Sequence, residues 1–161
     1  MKQPVDTDSA AAARGEDEVL LMRLGGLAFA VFSDEFECVE RWAEPAPLPR
    51  APAPVLGVVS VRGRMRTVIH PARLFEMLGH EFERRPDECA FILSLKGDEQ
   101  LALAFETSSP APLDDYDPHP DLYGVPVRAT FRHGGETAYV LDLARLFDSA
   151  MCGTERRRAR A

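Results

Sequence analysis

A ten-residue stretch occurs twice in the chain. Thr67-Val68-Ile69-His70-Pro71-Ala72-Arg73-Leu74-Phe75-Glu76 aligns with Tyr139-Val140-Leu141-Asp142-Leu143-Ala144-Arg145-Leu146-Phe147-Asp148 at a spacing of 72 residues. Val, Ala, Arg, Leu and Phe recur in register, and the Ile/Leu and Glu/Asp exchanges are conservative. Each copy runs from strand-forming residues into a short helix, so the repeat marks a duplicated strand-to-helix unit. A unit of roughly 70 residues with short strands is marginal on its own. Closing its sheet into a barrel removes exposed edges, and packing two barrels together buries the apolar faces that remain. The expected fold is mainly β: two tandem five-stranded β-barrels of SH3/OB-like type with short helices and a groove between them.

Turn chemistry places the strands. Val19 to Leu24, Gly25-Gly26 and Leu27 to Phe32 predict a β-hairpin. Phe36 to Trp42 alternates loosely and predicts a third strand. Val58 to Val61, the turn Arg62-Gly63-Arg64 and Met65 to Ile69 predict a second hairpin. Pro71 then opens a helix that Gly79 closes. The second half repeats this order, with Cys89 to Leu95, Leu101 to Phe105, Tyr123 to Phe131 and Thr137 to Leu141 as strands and Leu143 to Ala150 as helix. The first barrel therefore spans about 19–84 and the second about 86–150. Between Glu44 and Pro54 every second or third residue is proline, which excludes helix and predicts a stiff surface loop.

Residues 1–18 lack periodic apolar positions and are expected to be a disordered tail; residues 151–161 hold four arginines and are expected to be a frayed basic tail. No apolar run is long enough to cross a membrane as a helix, and no secretory signal opens the chain. Cys38, Cys89 and Cys152 are odd in number and widely spaced, so a reduced, cytoplasmic setting is the default and no metal-binding spacing is evident. A net charge of −7 argues against a broad phosphate-neutralising face, and so against nucleic acid as a partner.

No nucleophile, base and orienting group assemble in the pattern, and no glycine-rich phosphate loop precedes a helix. The expectation is a protein with no catalytic residues, no metal and no cofactor. His80 and His133 fall beside turns and are expected at the surface, whereas His70 occupies the position of Asp142 in the repeat and is expected to cap the following helix. The alternative reading is a small metal- or ligand-binding β-barrel that uses Asp117, His119 and Asp121, oxygen and imidazole donors in one proline-stiffened loop.

One further pattern is more specific. Pro49, Pro52, Gly57-Val58-Val59, Val61-Arg62-Gly63, Met65 and Val68-Ile69, with Leu24-Gly25, Phe29, Val39 and Val140 to Phe147, resemble the signature of the CheW-like family across residues 19–150. That resemblance implies a non-enzymatic, free-standing adaptor of a chemosensory pathway, coupling the cytoplasmic tip of a methyl-accepting type chemoreceptor to a histidine kinase and associating with receptor clusters. It implies receptor binding through Phe36, Val39 and Arg62, and a kinase-facing side with Cys38, Leu48, Gly57 and His70. The kinase regulatory domain or a second CheW-like adaptor is the further partner implied, with no direct membrane insertion. The sequence departs from the family pattern where Cys38 replaces the usual glutamate, where His70 replaces aspartate before the helix, and where Pro110 and Pro112 interrupt a second-half strand. These departures suggest weakened or lost kinase binding, by analogy with the accessory adaptors of frizzy-type motility pathways.

Overall fold

The computed structural model describes residues 18–113, 116–118 and 124–160. In chain order the elements are β1 (Glu18–Leu24), β2 (Leu27–Phe32), β3 (Phe36–Arg41), β4 (Val55–Val61), β5 (Arg64–Ile69), α1 (Pro71–Met77), β6 (Phe91–Leu95), β7 (Leu101–Phe105), β8 (Thr107–Pro112), β9 (Tyr116–Asp117), β10 (Val127–His133), β11 (Glu136–Leu141) and α2 (Leu143–Arg160). The chain is mainly β, as expected, and its strands form two sheets.

The order within the sheets corrects the division at about residue 85. One sheet runs β8-β1-β2-β11-β10-β9 and the other β3-β6-β7-β5-β4. The opening hairpin of each half thus leaves its own half and completes the sheet of the other. β2 pairs parallel with β11, and β7 pairs parallel with β5. Exchange gives β2 and β7 their second neighbours, β11 and β5.

The duplication is visible in backbone detail at the same 72-residue offset. His70 N–H donates to the Pro54 carbonyl and Asp142 N–H to the Pro126 carbonyl, both at 2.8 Å. Bulges follow Val55 in β4 and Val127 in β10. Closure also recurs. Beyond β3 the chain returns to β4 through an antiparallel bridge between Ala46 and Val58, while β9, next after β8, pairs with β10. The barrel reading of each sheet rests on these returns.

Strand alternation sorts two cores. Val19, Leu21, Ala28, Ala30, Phe32, Ala129, Phe131, Ala138 and Val140 line one face of the first sheet and pack on one another. The opposite face, with Met22, Leu24, Leu27, Phe29, Val31 and Leu141, joins the core of the second sheet around Phe75, Leu93, Leu103 and Phe105. β2 is therefore buried on both faces, which its unbroken apolar sequence reflects.

Three local expectations change. β8 is a regular six-residue strand despite its prolines: it lies at the edge of the sheet, where proline is tolerated, with Pro110 and Pro112 opposite Leu20 and Glu18 of β1. α2 continues past Ala150 to Arg160, through the residues expected to fray. Residues 1–17 of the expected N-terminal tail lie outside the described residues, and Glu18 already belongs to β1. Among the described residues no helix is long and apolar enough to cross a membrane.

Candidate functional site

The site begins with a two-residue hairpin turn. Arg62 and Gly63 join β4 to β5 with φ of 52° and 83°, and the matching turn in the other half is Gly134-Gly135 with φ of 59° and 83°. Both turns follow the twist that tight hairpins favour. Only in the first does an arginine occupy the left-handed position, at a backbone cost of about 1 kcal/mol relative to glycine. The side chain it carries there is 69% exposed, and its Nε donates to Glu40 Oε2 on β3 at 3.0 Å.

Glu40 was not singled out from sequence. It lies on β3, whose register against β6 shifts between Phe36 and Cys38. Cys38 itself is half-buried against the core, as is Phe36. Val39, between Cys38 and Glu40, is 41% exposed, and Met65 on β5 is 59% exposed. Arg64 beside it is exposed and makes no ion pair among the described residues. Val39 on β3 and Met65 on β5 are thus exposed apolar side chains on the two strands that the Arg62–Glu40 and Arg66–Glu37 pairs connect.

Beneath this surface sits Arg66, 2% exposed. Its Nη1 donates to the Leu95 carbonyl at 2.8 Å and its Nη2 to Glu37 Oε1 at 2.7 Å. β3 and β5 are not neighbours in the sheet, so this guanidinium spans the barrel and ties β3 to the strand that carries Met65.

The residues expected to face a kinase separate. Leu48 is exposed on the proline loop. Gly57 is buried with φ of 140°, and a Cβ there would lie 2.2 Å from the Ala46 carbonyl oxygen, so glycine is required for barrel closure. His70 is 1% exposed and caps α1, its Nδ1 accepting from Arg73 N–H at 3.1 Å. The capping role read from the repeat is observed. Gly57 and the His70 side chain are thus buried, whereas Leu48 is open to solvent.

His80 is likewise not free at the surface. It is half-buried among Phe75, Phe82 and Tyr139, bonded to the Tyr139 hydroxyl at 3.0 Å, and burial pushes its pKa down. His133 is partly shielded with its ring against Phe131. Of the alternative metal loop, His119 and Asp121 lie outside the described residues, and Asp117 belongs to β9. A cleft of about 480 Å³ runs between the β1–β2 turn and residues 81–86, lined by Arg23, Glu81, Phe82, Glu106, Glu136 and Tyr139 among others, and holds none of Phe36, Val39 and Arg62.

Against known proteins, a search of curated sequences returns no match. Among solved structures, the scaffolding protein TtCheW from Thermoanaerobacter tengcongensis is similar, with a TM-score of 0.66 and 16% identity over 82% of this chain and 92% of that one. At that identity the likeness shows the fold. The family model described as the CheW-like domain matches residues 18–151, and with nearly the whole described chain inside it, the protein belongs to the CheW-like family.

Proposed function

We propose that the protein is a non-enzymatic scaffold of a chemotaxis-like pathway that docks the helical tip of a chemoreceptor on the open surface formed by β3 and the β4–β5 turn. The single observation that carries this reading is the exposed Arg62, held in a left-handed turn position and paired with Glu40 of β3. Exposed apolar side chains beside a fixed charge pair suit a partner helix with an apolar stripe and a polar contact at one end. Strain is retained at Arg62 where the twin turn has glycine, which fits a residue kept for contact rather than for stability. Phe36 and Cys38 support the strand from below. Kinase binding is weak or absent in this reading, since His70 and Gly57 are buried and the kinase-facing side reduces to Leu48 and the proline loop.

The test is binding of the purified chain to a receptor cytoplasmic tip and to a kinase regulatory domain. Arg62→Gly copies the twin turn and is expected to stay folded while losing receptor affinity by about tenfold or more. Kinase binding without receptor binding reverses the assignment, and unchanged receptor affinity in Arg62→Gly removes this surface from it.

A further inference from the structure

Away from the docking surface, three potential ligands converge where β5, the 79–90 connection and the start of β6 meet. One donor nitrogen of His70, one carboxylate oxygen of Asp87 and Cys89 Sγ all lie within 4.8 Å of one another. His70 is 1% exposed. Its Nε2 is buried without a hydrogen-bond partner, although Asp87 Oδ2 lies only 3.2 Å away. That separation is close to the roughly 3.3 Å edge of a tetrahedron whose ligands sit about 2.0 Å from a central ion. Arg84 Nη2 donates to the same Asp87 Oδ2 at 3.0 Å, which fixes the carboxylate in place and leaves Oδ1 for a further contact.

We propose that His70 Nε2, Asp87 and Cys89 form a three-ligand site for a borderline-soft divalent cation such as Zn²⁺, with a fourth position open to water. Imidazole, carboxylate and thiolate together are a donor set that suits zinc. The proton balance is simple. Nδ1 now accepts from Arg73 N–H, so the neutral ring carries its proton on Nε2. Metal capture moves that proton to Nδ1, the Cys89 thiol loses its own to solvent, and Asp87 is already ionised. One proton leaves per ion bound. The exchange gives up the side-chain cap on α1, since Nδ1 then carries a proton. Burial holds the Cys89 thiol at a pKa of about 11, so without metal it is an inert thiol.

The experiment is titration of the reduced full-length chain with Co²⁺, followed by displacement with Zn²⁺. The expected result is one Co²⁺ bound with a thiolate-to-cobalt charge-transfer band, one proton released, and loss of the band on adding Zn²⁺. His70→Asn retains a side-chain oxygen for the cap while removing the imidazole. It is expected to fold normally and to lose affinity by more than about a hundredfold. Cys89→Ser is expected to abolish the band. No band at millimolar Co²⁺ overturns the proposal. So does a band that survives Cys89→Ser, which places the ion on another cysteine, or one that survives His70→Asn.

Discussion

Arg66 sits where the strand pattern calls for an apolar side chain, and its Nε has no partner. Its charge is balanced at the rim by Glu37, which is 41% exposed. Removing Glu37 leaves a buried cation uncompensated, so Glu37→Ala is expected to destabilise the fold by roughly 1–2 kcal/mol, less than for a pair wholly out of water. Arg66→Met, which fills the same space without charge, is expected to be neutral or stabilising, and urea denaturation distinguishes the two. His70 gives a second prediction. Burial lowers its pKa below the ordinary histidine value near 6.5, against the pull of Asp87. The unfolded chain then binds more protons, so stability is complete above about pH 6.5 and is lost as pH falls through the folded-state pKa. His80 contributes in the same direction, and Glu35, raised by burial, opposes both at the acid end. The difference between wild type and His70→Asn in urea midpoint against pH isolates the His70 share, and a flat difference refutes it. Residue chemistry was the least legible level. The His70 cap followed from its repeat partner, but Arg66 looked like any strand residue. Asp87 and Cys89 lie far from His70 along the chain, and no spacing rule connects them.

At the scale of elements, turns and helix ends were readable because glycine and proline mark them by their backbone restrictions. β1–β2, β4–β5 and α1 fall where Gly25-Gly26, Arg62-Gly63 and Pro71 place them. The bulge in β3 was not readable. A slip of register leaves composition unchanged, and the Arg62–Glu40 bond joins residues 22 positions apart that no local pattern connects. Closure of the second sheet depends on the proline loop crossing Gly57, with the paired Ala46 and Val58 amides at 2.8 and 2.9 Å. Gly57→Ala adds a Cβ 2.2 Å from a backbone oxygen at a φ of 140°. It is expected to cost at least about 2 kcal/mol, read as a lowered melting temperature, whereas Gly63→Ala at an open turn meets no atom within 4 Å and carries only its own backbone strain.

For the whole molecule, periodicity revealed two related halves but not their exchange of hairpins. Pairing between distant strands is set by how apolar faces are best covered, and a local pattern does not record it. The exchange has a measurable result. Neither 18–84 nor 86–160 contains a complete sheet, so each fragment alone is expected to be unfolded, and mixing them is expected to restore native-like near-ultraviolet circular dichroism. Independent folding of either fragment contradicts the interlocked topology. The duplication also has an asymmetric outcome at the two hairpin tips. At the 72-residue offset Arg62 becomes Gly134, Glu40 becomes Pro112, and exposed Val39 becomes Ala111, which is 4% exposed. The doubled chain therefore carries only one arginine-tipped turn: if that turn is the docking point proposed above, a single chain grips one helix there, because the second turn kept its glycine.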